Sequence, residues 1–334
     1  MNAIPRGAWV LVLVAVVAVL VPPRRGLAVA ADDLPACIRL FEARGYEEAQ
    51  ACFEAYVARQ PADAAGLSYL GRTCFERRQP RAAIDWLERA LASAPQRSDL
   101  HDWLGRAYGI AAQRAALARQ FGLAIKARQQ FERAVELDPA NPDALADLIE
   151  FQVQAPAFLG GSLERARLHA AALERLDPLR GRLARAEVLL HTPAGSAAAA
   201  GELRDAAAAF PRDPRPWLAL AAADEQAGRV ERAFDEIETA LRLDPDGAEA
   251  HHELARAAAL SGRPGDLARA EELLLRDLKR LPPGDGAALA DCHYDLGAVL
   301  ERRWDFARAR EHYRQALQRD PGLAAARAAL RRLP

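Results

Sequence analysis

Residues 64–97 read AAGLSYLGRTCFERRQPRAAIDWLERALASAPQR, and the pattern of this 34-residue stretch returns along the chain. Leu70-Gly71 is followed by Cys74, Ala83, Leu87, Ala90-Leu91 and Pro95. Large apolar residues three and four apart form one buried stripe on each of two helices. Gly71 and Ala83 are small because the two helices of a hairpin approach closely there, and Pro95 marks the end of the second helix. The same order recurs as Leu104-Gly105, Tyr108, Ala127, Phe131, Ala134-Val135 and Pro139. It recurs again as Trp217, Leu220-Ala221, Gly228, Ala233, Ile237, Ala240-Leu241 and Pro245, and as Leu296-Gly297, Leu300, Phe306, Ala309, Tyr313, Ala316-Leu317 and Pro321.

Pro61, Pro95, Pro139, Pro178, Pro211, Pro245, Pro282 and Pro321 fall at intervals of 34, 44, 39, 33, 34, 37 and 39 residues. A period of this size is the mark of a solenoid, in which each unit buries its apolar stripe only by stacking on the next. The residue pattern resembles the tetratricopeptide repeat (TPR), whose hallmark is Trp, Leu-Gly, Tyr, Gly, Ala, Phe, Ala and Pro at fixed places in 34 residues. The resemblance implies an all-α fold, a right-handed superhelical solenoid of about eight antiparallel helix hairpins. The units lie near 30–63, 64–97, 98–141, 142–179, 180–213, 214–247, 248–284 and 290–323, and residues 324–334 read as a C-terminal capping helix. Unit five matches the pattern least, lacking Trp and the Leu-Gly pair. Gly228 and Gly262 read as turns between helices. Asp-Pro at 138–139, 177–178, 244–245 and 320–321 ends a helix and opens the next connection.

Units three and four depart from the period side by side. Unit three is ten residues too long between Gly109 and Ala127, and Leu117, Phe121 and Ile125 recur every four residues ahead of Phe131. This predicts an early start of the second helix. Shared between both helices, the insertion would lengthen each by about 7 Å. Unit four is five residues too long, at Gln154-Ala155-Pro156-Ala157-Phe158-Leu159-Gly160-Gly161-Ser162, with Phe158 and Leu159 apolar in a turn. Either the two irregular hairpins form a lip that recognises a partner, or the added segments pack on their neighbours and only set curvature. The phrase after the long third unit is similar to a subgroup of exported bacterial tetratricopeptide proteins of unassigned role.

The N-terminus reads as a signal peptide spanning residues 1–30. Arg6 precedes fourteen apolar residues, Ala8 to Val21, Pro22-Pro23 break the run, and Ala28-Val29-Ala30 offers small residues for cleavage before Ala31. Fourteen are too few for a comfortable membrane span of about 20. The expected location is periplasmic or secreted, with an inner-membrane anchor as the alternative if residues 1–30 stay attached. Without them 42 basic and 46 acidic residues remain. So even a balance gives no reason to expect nucleic acid or an anionic membrane as partner. Of four cysteines, Cys37 with Cys52 could bridge the first hairpin, and Cys52 with Cys74 is the competing pair. The other reading is that all are small buried side chains, as core cysteines commonly are.

No separate catalytic motif emerges. His101, His251 and His293 occupy the position where the repeat often has Trp and read as packing residues. His252-Glu253 begins like HExxH, but Arg256 stands where the second His would be. No cofactor or metal is expected. The resemblance implies a non-enzymatic scaffold that binds a protein or peptide in a concave groove lined by the first helix of each pair, in envelope assembly or complex maturation. The matching positions are Arg72, Phe75, Glu76, Asp102, Arg106, Glu150, His252, Arg256, Tyr294 and Glu301, with Phe158 and Leu159 at the lip. Arg72 and Arg106 would stack as a carboxylate or anion site. The family's carboxylate clamp uses Lys and Asn instead, and Ser68, Arg72, Asp102 and Arg106 depart from it. The alternatives are a membrane-anchored assembly factor and a hydrolase with a site at the lip of units three and four.

Overall fold

The computed structural model describes residues 33–193 and 195–334, so the signal-peptide reading of residues 1–30 lies outside the described residues. Helices pair in sequence: α1 (Leu34–Glu42) with α2 (Tyr46–Arg59), α3 (Ala64–Glu76) with α4 (Pro80–Ser93), α5 (Ser98–Arg114) with α6 (Leu117–Leu137), and α7 (Pro142–Gln154) with α8 (Leu163–Leu176). They continue as α9 (Pro178–Leu190) with α10 (Gly195–Ala209), α11 (Arg215–Gln226) with α12 (Val230–Leu243), α13 (Ala248–Ser261) with α14 (Pro264–Arg280), and α15 (Gly286–Arg302) with α16 (Phe306–Arg319). A last helix, α17 (Ala324–Arg332), packs on α16 and buries Ala326 and Ala329. The fold is all-α, and no strand occurs among the described residues.

Local chemistry accounts for the boundaries. Asp63, Asn141, Asp177, Asp285 and Asp305 cap helix N-termini through their side chains, each accepting from a backbone N–H two or three residues on. The Asp-Pro pairs act in two ways. Asp177 ends α8 and caps α9 at once. Asp138, Asp244 and Asp320 instead accept from the N–H two residues later, at 3.0, 3.3 and 2.9 Å, which folds the connection into a tight turn. His101 and His251 place Nε2 3.1 Å from the carbonyl of the proline six residues earlier, tying each first helix to the preceding unit.

Hairpins close on their small residues. A Cβ added at Gly71 would lie 2.6 Å from Leu87, at Gly105 2.6 Å from the Phe131 ring, and at Gly297 2.7 Å from the Tyr313 ring. Ala83, Ala127 and Ala309 are buried on the facing helices. Unit five, weak in sequence, still forms a hairpin: its alanines Ala199, Ala200, Ala206 and Ala207 are buried and let the helices approach without the Leu-Gly pair. The ten extra residues of unit three are absorbed by helix, as the spacing predicts, but unequally. α5 has 17 residues and α6 has 21, against 13 and 14 for α3 and α4. That adds about 6 Å to one and 10 Å to the other.

Cys37 and Cys52 are disulfide-bonded, with Cα atoms 5.4 Å apart. Cys74 is a buried free thiol whose burial pushes its pKa up to about 12, so the Cys52–Cys74 pairing does not occur. Closing a loop of this length stabilises the first hairpin by about 3 kcal/mol in the chain-entropy account.

The array comes back on itself. Arg44, in the turn of the first hairpin, donates to Asp285 at 2.5 Å. Arg78, in the second, donates to Asp291 at 2.5 Å, and Arg114, at the end of α5, donates to Asp320 at 2.7 Å. Arg114 also reaches the Arg78 carbonyl at 3.1 Å. A Cβ at Gly284 would sit 3.1 Å from the Gly45 Cα. One edge of units one to three therefore rests on the opposite edge of unit eight. Asp285 and Asp320 are only 1% and 2% exposed there. Arg44 and Arg78 occupy the repeat position that Gly228 and Gly262 fill elsewhere, all at positive φ: 59° and 57° for the arginines, 73° and 69° for the glycines. A non-glycine residue in this region carries a backbone penalty of about 1–2 kcal/mol. The two arginines occupy it while making the closing ion pairs.

Candidate functional site

The first helices of units two, three and four enclose a cavity of about 350 Å³. α3 contributes Phe75 and Glu76, α5 contributes Trp103, Arg106, Gly109, Ile110 and Gln113, and α7 contributes Asp147, Glu150, Phe151 and Gln154, with Phe131 of α6 at the floor. Phe75 meets Trp103 edge-on at 5.5 Å, and Phe131 lies against Phe151 at 6.3 Å. The walls are aromatic and the charged groups are mostly acidic.

Arg106 is already satisfied. Its Nε donates to Asp147 and lies 3.2 Å from Asp102. Arg72 lies over the rings of Phe41, Tyr69 and Trp103 at 5.1, 4.7 and 4.7 Å, and Arg106 lies 4.7 Å from the same indole. Both arginines thus flank Trp103 as the stacking of units requires, but their charge is spent on rings and on two carboxylates. This corrects the expected anion site.

Five carboxylates of the first helices, Glu76, Asp102, Glu150, Glu253 and Asp291, are held above their usual range. Burial raises Glu76, with the Asp285 charge adding to it. Partial burial and the neighbouring Asp147 raise Glu150. Burial raises Asp291, and it raises Glu253 to about 7 although Arg256 opposes the shift. Asp102, 2% exposed, is pushed up to about 8 by burial and by the Asp147 charge, against the pull of Arg106, and one of its oxygens has no hydrogen-bond partner. Burial is the largest cause in each case, so the interior disfavours the charged form of these carboxylates.

Asp102 yields a pH prediction. Its ordinary value near 3.9 applies to the unfolded chain, so the folded form keeps the proton longer. Stability present below about pH 4 is lost as pH rises through about 8. Asp102→Asn should leave stability nearly unchanged at pH 4 and exceed the parent by on the order of 2 kcal/mol at pH 9, where the parent has lost its proton. Denaturant melts at the two pH values measure the difference.

Beside this cavity is a second of about 380 Å³ that shares Gly109, Gln113, Phe151 and Gln154 with it and is otherwise apolar apart from Gln120, lined by Phe121, Ala124, Pro156 and Leu159. The 155–162 connection forms its lip. Residues 157–159 make one 3₁₀ turn, Gly160 has φ of 103°, and a Cβ at Gly161 would fall 1.7 Å from the Ala155 carbonyl oxygen, so Gly-Gly is required. Phe158 is 74% exposed and meets Phe121 edge-on at 5.9 Å. Leu117, Phe121 and Ile125 are also exposed, so the inserted turns of α6 leave an apolar ridge uncovered.

The sequence-chosen residues separate into groups. Phe75, Glu76, Arg106 and Glu150 converge on the first cavity, Arg72 lies against Trp103 of its wall, and Phe158 packs on Phe121 of the second. Leu159, 8% exposed, is wall and not contact surface, and Asp102 is buried beneath Arg106, so neither is the open groove position expected. His252 pairs with Asp295, and Arg256 with Glu225 and Glu253, in units six to eight. Tyr294 is half-buried against Tyr313 in the C-terminal core, and Glu301 accepts from Tyr313 and Arg332, which turns both toward packing. Trp103 and Asp147 were not among the expected residues. Both stand one residue before the apolar pair of their first helix, a position that faces the neighbouring unit.

Sequence profiles of the tetratricopeptide repeat match residues 38–98, 214–257 and 290–323. The chain is a tetratricopeptide repeat protein. Repeats of this family support a protein-interaction scaffold in general terms. Among solved structures, this TPR protein is similar to one from Parabacteroides merdae ATCC 43184, with 13% identity, 89% of this chain and 95% of that one covered, and a TM-score of 0.51. It is also similar to a thermophilic TPR protein of Thermus thermophilus, with 18% identity, 67% and 96% coverage and a TM-score of 0.46. A chain of the APC/C hetero-tetramer Cut9-Hcn1 gives 16% identity, 89% and 54% coverage and a TM-score of 0.45. No curated protein matches the sequence.

Proposed function

We propose that the protein is a non-enzymatic scaffold that holds a polypeptide partner against the first helices of units two to four, in the periplasm or outside the cell, for envelope assembly or complex maturation. The observation that carries the reading is the pair of adjoining cavities, one aromatic and acidic, one apolar, opened by the long third hairpin. The Cys37–Cys52 bond supports an oxidising compartment, as does the apolar run from Ala8 to Val21.

Carboxylates of raised pKa converging on a cavity are also what an acid–base hydrolase would use. Here Asp102 and Asp147 are turned to Arg106, Glu150 accepts from Gln154 at 3.1 Å, and among the described residues no histidine, serine, cysteine or lysine lines the cavity. Binding is the better supported use. The test is a crosslinking pull-down comparing the intact protein with one lacking residues 110–119, which returns unit three to a 34-residue spacing. Loss of a defined partner, with the helical circular-dichroism signature kept, is the expected result. Retention of that partner would move recognition away from this hairpin.

A further inference from the structure

We infer that the cavity between α3, α5 and α7 takes a basic side chain, lysine or arginine, from the bound polypeptide, and that bulky apolar residues of the same segment sit in the adjoining lip. The inference rests on the groove reading above and specifies its occupant.

Charge complementarity comes first. Glu76, Asp147 and Glu150 line the cavity, and the one cation lining it, Arg106, is held by Asp147 and Asp102. Among the described residues Glu76 is half-buried and has no direct hydrogen-bond or ion-pair partner, and Arg44, Arg72 and Arg106 attract it only from longer range. An acidic guest would meet three carboxylates and a neutralised arginine. A basic one would supply the missing counter-charge, and its charge-assisted hydrogen bonds are the strong kind. Burial first, and then the Asp285 charge at Glu76 and the Asp147 charge at Glu150, raise both carboxylates, and a cation seated between them would favour their charged forms.

Shape agrees with charge. Lysine and arginine carry apolar stems that lie well along aromatic walls while the head reaches polar groups. Phe75 and Phe151 offer such walls beside Glu76 and Glu150. A Cβ at Gly109, shared by both cavities, would meet open space, so the passage to the lip is unobstructed. There the apolar lining and the exposed Phe121 and Phe158 present no charge to a guest, and only apolar side chains gain by covering them.

The test is a positional-scanning library of C-terminally amidated nonapeptides, offered to the full chain and to Glu76→Gln with Glu150→Gln. These isosteric changes keep shape and remove charge, and circular dichroism verifies folding. The result expected is selection of Arg or Lys at one position with Leu, Ile or Phe nearby, and binding of the selected peptides weakened about tenfold or more by the double variant. Phe158→Ser should then weaken only peptides that keep the apolar residue. Selection of acidic or charge-indifferent peptides, or basic peptides indifferent to the double variant, would overturn the inference and leave groove binding intact. A chain that retains no peptide at all would overturn both.

Discussion

Gly105→Trp should destabilise the array by about 3 kcal/mol or more, at the upper end of overpacking effects. Even a bare Cβ at this site would stand 2.6 Å from the Phe131 ring, so an indole can enter only if α5 and α6 separate. Because each unit is stabilised mainly by its neighbours, the damage extends to units two and four. The control is Gly122→Ala, in the same hairpin, where a Cβ meets nothing within 4 Å. There the gain in helix propensity should stabilise by about 0.5–1 kcal/mol. Urea melts of the two variants should move in opposite directions. A Gly105→Trp protein with the parental midpoint would mean that the two helices do not meet at Gly105.

Asp285→Asn with Asp320→Asn should release unit eight from units one to three. Asparagine preserves the helix cap at 285 and the turn at 320, so the change isolates charge. Both carboxylates are buried while their arginine partners are partly exposed, which places the cost at about 1–3 kcal/mol, below that of a fully buried pair. The larger effect is on shape. Small-angle scattering should show a greater radius of gyration for the variant than for the parent, and salt should change the parent little because both carboxylates are buried. Identical scattering from both proteins would show that these ion pairs do not hold the array closed.

Much of the fold was legible because the repeat writes the same physics many times. Gly71, Gly105 and Gly297 announce close helix contacts, and the Asp-Pro pairs announce the connections. The spacing of Leu117, Phe121 and Ile125 announces the extra helical turns, though not that their apolar side chains stay exposed. The closure was not legible, because Arg44 and Asp285 are 241 residues apart and belong to no period. The occupancy of the left-handed turn position by Arg44 and Arg78 was the available sign, and it shows only when the turns are aligned with Gly228 and Gly262. At the candidate site Phe75, Arg106 and Glu150 follow from register alone. Charge does not, because Arg106 looks free in sequence and only packing reveals Asp147 beside it. Tyr294 and Leu159 likewise follow the periodic pattern yet are claimed by the core and by the lip.

The most direct test of the account is photo-crosslinking in cells from two positions of the intact protein. One is Gln113, exposed where both cavities meet, and the other is Arg81, exposed on the second helix of unit two. The account predicts capture of a defined polypeptide from Gln113 and none from Arg81. Capture from Arg81 alone would contradict it and place recognition on the outer face of the array.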